Sequence, residues 1–358
     1  QEWFQNDPSS AWQAVRRSFD GITSTGWFSC LEKGFRSLYQ TSLHELLHLP
    51  SNSIEPVLQL DRLVSRRYTN LMSWYDQACD LLRIEKILRP VQLEYGYRHE
   101  SEGEGKRMAP LLRIDSLCSF YQKPTDSMRF CIEKTGIEPR SADEFREFLS
   151  TCFTLAEQAG FKGTKQLQAY SRSLNFIRPN DSEVVFEKTA DREKQLRFCD
   201  FVVYECLEQT AKRHWPHQIH VGTHNLPDSN PLPLQTLIHA FPQIDFVLLH
   251  AWPYIDDSAY LARSFPNVYI DPCWTPILNL QYFRSSLETY IGSLPDTKVM
   301  IGHDSTSVEM AAGSLGFCRK ILAEILQKRM DCDDLPYESA LSLARRYLLE
   351  NAKRIYRA

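Results

Sequence analysis

"HQIHVGTHNLPDSNPLPLQTLIHAFPQIDFVLLHAW", residues 217–252, reads as strand, helix, strand. "HQIHVGTH" (217–224) and "DFVLLHAW" (245–252) are short β-rich runs, the second almost continuously apolar, and "LPLQTLIHAFP" between them has helical spacing. Near-continuous apolar strands joined by helices predict a parallel sheet covered by helices. His220 and His250 fall at the C-terminal ends of the two strands. In parallel α/β folds that edge is where chemistry is built.

The same texture extends in both directions. "EKILRPVQL" (85–93), "PLLRIDSL" (110–117), "FKGTKQLQAY" (161–170), "NVYIDPCW" (267–274) and "KVMIGHDS" (298–305) are further strand candidates. Helix candidates alternate with them, including "ADEFREFLSTCFTLAEQAG", which Gly160 closes as a C-cap. With the opening pair this makes seven strands. The expected fold is therefore α/β, a (β/α)8 TIM barrel, with an open doubly wound sheet as the alternative. The missing first strand would lie in the first twenty-odd residues or ahead of Gln1. Residues 1–83 read as an N-terminal helical insertion, and 84–358 as the barrel domain. Ser9 and Ser10 are candidate caps for the first helix. Leu31, Phe35, Leu38, Tyr39, Leu43, Leu46 and Leu47 line one apolar helical face.

The balance of 41 Lys+Arg against 45 Asp+Glu gives a net charge of −4. That offers no electrostatic grip on nucleic acid or anionic lipid. No apolar run is long enough to span a bilayer. The ten cysteines show no C-x-x-C pair and read as reduced, buried thiols of a cytoplasmic protein. The chain begins at Gln1 rather than Met, so a targeting peptide could precede it.

Four strand candidates carry chemistry-bearing residues. Lys165, His220, His250 and Asp304 lie at or near strand ends. Two imidazoles and a carboxylate suit zinc, with manganese or nickel as other divalent choices. Taken singly, each has a plainer explanation: a hydrogen-bonded core histidine, an N-cap aspartate, a solvated lysine. Their joint occurrence at equivalent strand ends is what carries the signal.

These residues sit in a recognisable setting. "QIHVGTHNLPDSNPLPLQTLIHAFPQIDFVLLHAWPYIDDSAYLARSFPNVYIDPCW", "GTKQLQAYSRSL", "KVMIGHDSTSVE" and "LLENAKRIY" resemble the amidohydrolase-related family of metal-dependent TIM barrels. Within it, the branch fused to glutamine-synthetase-like domains is the nearer likeness and uronate isomerases a more distant one. The resemblance covers roughly residues 85 to 358. It implies His220 and His250 as metal ligands, Asp304 as ligand and base, and Lys165 as the family's fourth-strand lysine. The implied reaction is attack of metal-activated water on an amide, ester or lactone carbonyl of a small molecule. Non-hydrolytic decarboxylation or uronate-type isomerisation on the same barrel is the second reading. The chain lacks the family's first-strand H-x-H. That absence fits a start downstream of the strand, or a non-catalytic binding protein with a degraded metal site.

Other residues are weaker candidates. "HELLH" places His44, Glu45 and His48 at zinc-protease spacing. Pro50, however, predicts a helix that ends near His48, and no H-x-x-G-x-x-H extension follows. Arg89 and Arg113 are candidates for binding a substrate carboxylate. Arg113 and Asp115 are expected on one strand face, where an ion pair between them is equally open. His224, Trp252, Trp274 and Glu309 follow strand ends and are candidate pocket residues. His217 should lie at the wrong end of its strand, and His303 should alternate away from Asp304. The expected partners are a small, possibly carboxylated substrate and other copies of the chain.

Overall fold

A computed structural model describes residues 7–50, 53–95 and 107–357. The chain packs as two compact units that interleave along the sequence. One gathers Gln1–Glu85, Cys273–Glu288 and Ile301–Ala344; the other gathers Lys86–Pro272, Thr289–Met300 and Arg345–Ala358.

The second unit holds a six-stranded sheet of β1 (Ile87–Val91), β2 (Met108–Arg113), β3 (Thr164–Gln166), β4 (His217–Val221), β5 (Phe246–His250) and β6 (Val268–Asp271). All neighbours are parallel, and the spatial order follows the chain order. That is the strand order of a (β/α) barrel, the expected fold class. β4 and β5 are buried throughout; the apolar run of β5 requires this, while β4 buries His217, Gln218 and His220 along with Ile219 and Val221. The long crossover helix Arg192–Lys212 is buried along most of its length.

Two strand candidates come out shorter than expected. The 161–170 run pairs only over Thr164–Gln166, then tightens into a 3₁₀ turn at Gln168–Tyr170. The 298–305 run makes one parallel bridge, Val299 to Ile270, and residues 301–305 leave the strand conformation. The first strand is not found among the described residues: Pro8–Phe19 is helical, and Gln1–Asn6 lie outside them. The 142–158 helix ends as expected, with Gly160 in the left-handed region at φ 78°.

The first unit is helical around α1 (Pro8–Phe19), α2 (Gly26–Tyr39), α3 (Leu43–Leu47), α4 (Glu55–Tyr68) and α5 (Leu71–Leu82). Asp7, rather than Ser9 or Ser10, caps α1, its carboxylate accepting the Ser10 N–H at 3.1 Å. The apolar face expected from Leu31 to Leu47 is split between two helices. Gln40 turns left-handed at φ 54°, and Ser42 starts α3 afresh. Buried Glu32 drives that break: it binds Arg36 and Ser42 and takes the Leu43 N–H at 2.6 Å and the His44 N–H at 3.2 Å. α2 crosses a long helix of the same unit, Val308–Asp331, with backbones touching. A Cβ on Gly313 would lie 1.6 Å from the Cys30 carbonyl oxygen, and one on Gly34 would lie 1.9 Å from that of Glu309. No helix among the described residues is long and apolar enough to cross a membrane.

Candidate functional site

His220 and His250 come together at the C-terminal ends of β4 and β5. Their ring centroids lie 4.5 Å apart, and the residues are 2% and 1% exposed. Regular strands would not achieve this. The register pairs His220 with Leu249, so those two share a face, and alternation would send His250 to the opposite one. Instead the backbone turns left-handed at His250 (φ 70°) and Ala251 (φ 66°). Side-chain-bearing residues adopt this region at a cost, which is tolerated where the surroundings hold it.

The loop after β4 is similarly bent, with Gly222, Thr223 and Asn225 at φ 68°, 59° and 51°. Gly222 has no alternative, since a Cβ there would lie 2.1 Å from the Trp252 carbonyl oxygen. That oxygen accepts the Thr223 N–H at 2.7 Å, so the exits of β4 and β5 are tied together. The Thr223 hydroxyl lies 3.1 Å from His220 Nε2 and 2.9 Å from His224 Nδ1. The Tyr170 ring lies 4.4 Å from that of His220 and 5.1 Å from that of His224.

The register also sorts the cations. Arg113, Lys165 and Gln218 form one row, on the same face as His220. Lys165 is buried there, at 3% exposed. Arg89 pairs with Pro110, which puts it on the other face of β2 from Arg113, and its guanidinium lies 3.7 Å from Met108 Sδ. Arg113 Nε is 3.7 Å from Asp115 Oδ2, an ion pair. Asp115 is not on the strand, as alternation had suggested; it begins the short helix Asp115–Cys118. Burial pushes its carboxyl pKa up, opposed by the Leu167 N–H and the charges of Arg113 and Lys165.

His217 opens β4 and accepts or donates a bond with the Thr164 hydroxyl at 2.7 Å. Burial, aided by the Lys165 charge, lowers its pKa to about 3. Trp252 borders the β5 exit, in the same unit as the histidines.

Asp304, Trp274 and Glu309 belong to the other compact unit. Asp304 has φ 51° and Trp274 φ 64°. The Trp274 N–H donates to the His303 carbonyl at 3.2 Å, and the Ser305 N–H donates to His303 Nδ1 at 2.9 Å, bracing the chain around Asp304. Glu309 is buried and accepts from the Tyr39 and Tyr68 hydroxyls at 2.6 and 2.8 Å, tying together α2, α4 and the 308–331 helix. The His44 ring packs edge-on against Phe28 at 4.7 Å, while His48 Nδ1 bonds the His44 carbonyl at 2.7 Å.

Thr223, Tyr170 and Asp271 had no individual weight in the sequence. Asp271 ends β6 and, through Leu249, shares the His220 face. Its place at a strand end was the available signal.

A sequentially ordered parallel sheet with two imidazoles at its C-terminal edge has the layout of (β/α)-barrel enzymes, which build their sites at that edge. The amidohydrolase family model matches residues 136–358, more than half the chain, and the chain belongs to that family. Protein fluG of Emericella nidulans is 32% identical over 150 residues, which cover 39% of this chain and 17% of that protein. The chain thus spans about a sixth of that relative's length. A glucuronate isomerase from Caulobacter crescentus shares the fold at TM-score 0.77 and 15% identity, covering 98% of this chain and 79% of that one. A Lactobacillus casei protein assigned as a metal-dependent hydrolase matches at TM-score 0.65 and 18% identity, over 80% of this chain and 76% of that one.

Proposed function

We propose that the chain is a metal-dependent hydrolase that uses water to cleave an amide, ester or lactone bond of a small molecule. The observation supporting this most directly is the 4.5 Å approach of the buried His220 and His250 rings in a chain of the amidohydrolase family. The donor chemistry fits a divalent ion, zinc first, because two buried imidazoles on rigid strand ends are preorganised nitrogen ligands. The family resemblance assigns Asp304 the part of a ligand and base. When bound, such an ion supplies Lewis acidity and lowers the pKa of water towards neutrality.

The chain's own groups supply the rest. The Thr223 hydroxyl beside Nε2 orients the His220 imidazole. Tyr170 and His224 form the exposed side of the mouth, where a substrate enters. Lys165, on the same face as His220, polarises the substrate or attracts its carboxylate. Asp304 takes the proton released by water and delivers it to the leaving group.

Metal analysis of the purified protein, with zinc, manganese and nickel titrations, is the test. Stoichiometric metal that is lost in His220→Ala and His250→Ala, with hydrolysis products from an amide, ester and lactone panel, supports the reading. No binding of any of the three ions, or unchanged turnover in Asp304→Ala, overturns it. The fold shared with a glucuronate isomerase favours a second reading, isomerisation or decarboxylation of a carboxylated substrate. Product mass separates the three: hydrolysis adds water, decarboxylation releases carbon dioxide, and isomerisation leaves the mass unchanged.

A further inference from the structure

We infer that Asp115 is a positioning residue that fixes the turn laying Tyr170 across His220 and His224. Its value to turnover rests on the role proposed above for His220; the positioning itself does not.

Asp115 lies two residues past the end of β2, yet its carboxylate serves the exit of the neighbouring strand. Oδ1 accepts the Leu167 N–H at 2.7 Å and the Gln168 Nε2–H at 3.3 Å. Leu167 and Gln168 are the first residues after β3, and Gln168–Tyr170 is the 3₁₀ turn. A single turn of this kind has little stability of its own, because few hydrogen bonds offset the ordering of its backbone. It is held from outside instead. The Gln168 amide oxygen also accepts Cys199 Sγ–H at 3.4 Å, and the Ala169 carbonyl accepts from Asn225 Nδ2 at 3.1 Å.

Burial does not fix Tyr170, which is 49% exposed. Asp115 pins the segment that carries Tyr170 with one bond to the Leu167 backbone N–H and one to the Gln168 side-chain amide. Arg113 Nε lies 3.7 Å from the other carboxyl oxygen, Oδ2, so Asp115 is held from both sides. Tyr170 in turn restricts rotation of His220 and shields it from water. Asp115 therefore acts on the mouth at one remove, through Gln168 and Tyr170.

Histidine-labelled protein tests this by NMR without metal or substrate. The Tyr170 ring shifts the ring-proton signals of His220 and His224, and Tyr170→Leu defines their positions without it. Asp115→Ala is expected to move both signals most of the way to the Tyr170→Leu positions. Asp115→Asn, which keeps an acceptor oxygen for the Leu167 N–H, is expected to hold them near wild type. A folded Asp115→Ala with wild-type signals overturns the inference. Should Asp115→Ala fail to fold, Gln168→Leu removes the Asp115 amide link together with the Cys199 contact, and Cys199→Ala removes the latter alone; a larger shift in Gln168→Leu than in Cys199→Ala supports the inference, and a shift no larger overturns it. Calorimetric titration with Zn2+ forms a separate arm, with affinity expected to fall roughly tenfold in both Asp115→Ala and Tyr170→Leu. Wild-type protein that binds no Zn2+ would sink the metal reading while the NMR arm still decides the positioning.

Discussion

Two pairs of histidines show how differently spacing and convergence behave. His44 and His48 are four residues apart in a motif known for zinc. α3 lasts only five residues, and their side groups are engaged locally, one against Phe28 and one on a helix carbonyl. His220 and His250 are separated by a whole strand-helix-strand unit, yet their rings nearly touch. Proximity along the chain sets which residues meet on a helix. Which residues meet at a strand edge is set by register and by the way the backbone leaves the strand.

The strongest way to break the comparison is to exchange the pairs as targets. His250→Ala should weaken zinc binding by more than about 100-fold, since losing a ligand exceeds the 10–100-fold typical of its supporting contacts. The double variant His44→Ala/His48→Ala should leave the metal titration unchanged. Equal losses in both would show that the helix pair had been misjudged.

The helical unit should break by packing instead. Gly313→Ala drives a methyl into the Cys30 carbonyl, at a cost of about 3 kcal/mol or more, read as a fall in denaturant midpoint. A third histidine sharpens the contrast through pH. His217 is neutral in the fold, with its pKa lowered to about 3, while in the unfolded chain it ionises near the ordinary imidazole value of 6.5. The unfolded state thus binds the extra proton between those values. Stability should be whole above pH 6.5 and decline as pH falls towards 3, and His217→Gln should flatten that decline in acid-unfolding curves. Smaller still, Ser42→Ala removes the α3 cap and a Glu32 partner, costing about 1 kcal/mol in chemical denaturation. His48→Ala, on the exposed end of α3, should change stability by no more than about 0.5 kcal/mol.

Much of the fold was legible. β5 and β6 fall inside their quoted runs because buried parallel strands are rich in apolar residues, and β4 falls inside its run although three of its five residues are polar. The approach of His220 to His250 was legible as two strand ends in one repeating unit. What failed to show were the exits. Gln40 could not announce a helix break, because Glu32, eight residues earlier, captures the amides that follow. The 298–305 run keeps its apolar letters but pairs at a single residue. Tyr170 and Thr223 were silent because their roles depend on contacts between separate loops. Residue type gave no warning of left-handed backbone at His250, Ala251 or Trp274, none of them a glycine.

Those left-handed residues set a limit on laboratory evolution of this chain. Selection for heat resistance alone would favour glycine at Ala251 and asparagine or glycine at Thr223, which relax the bent segments. Each gain would also free the loops that aim the two imidazoles. Heat-hardened descendants should then need a second round of selection, on ligand affinity, to recover what the first had loosened.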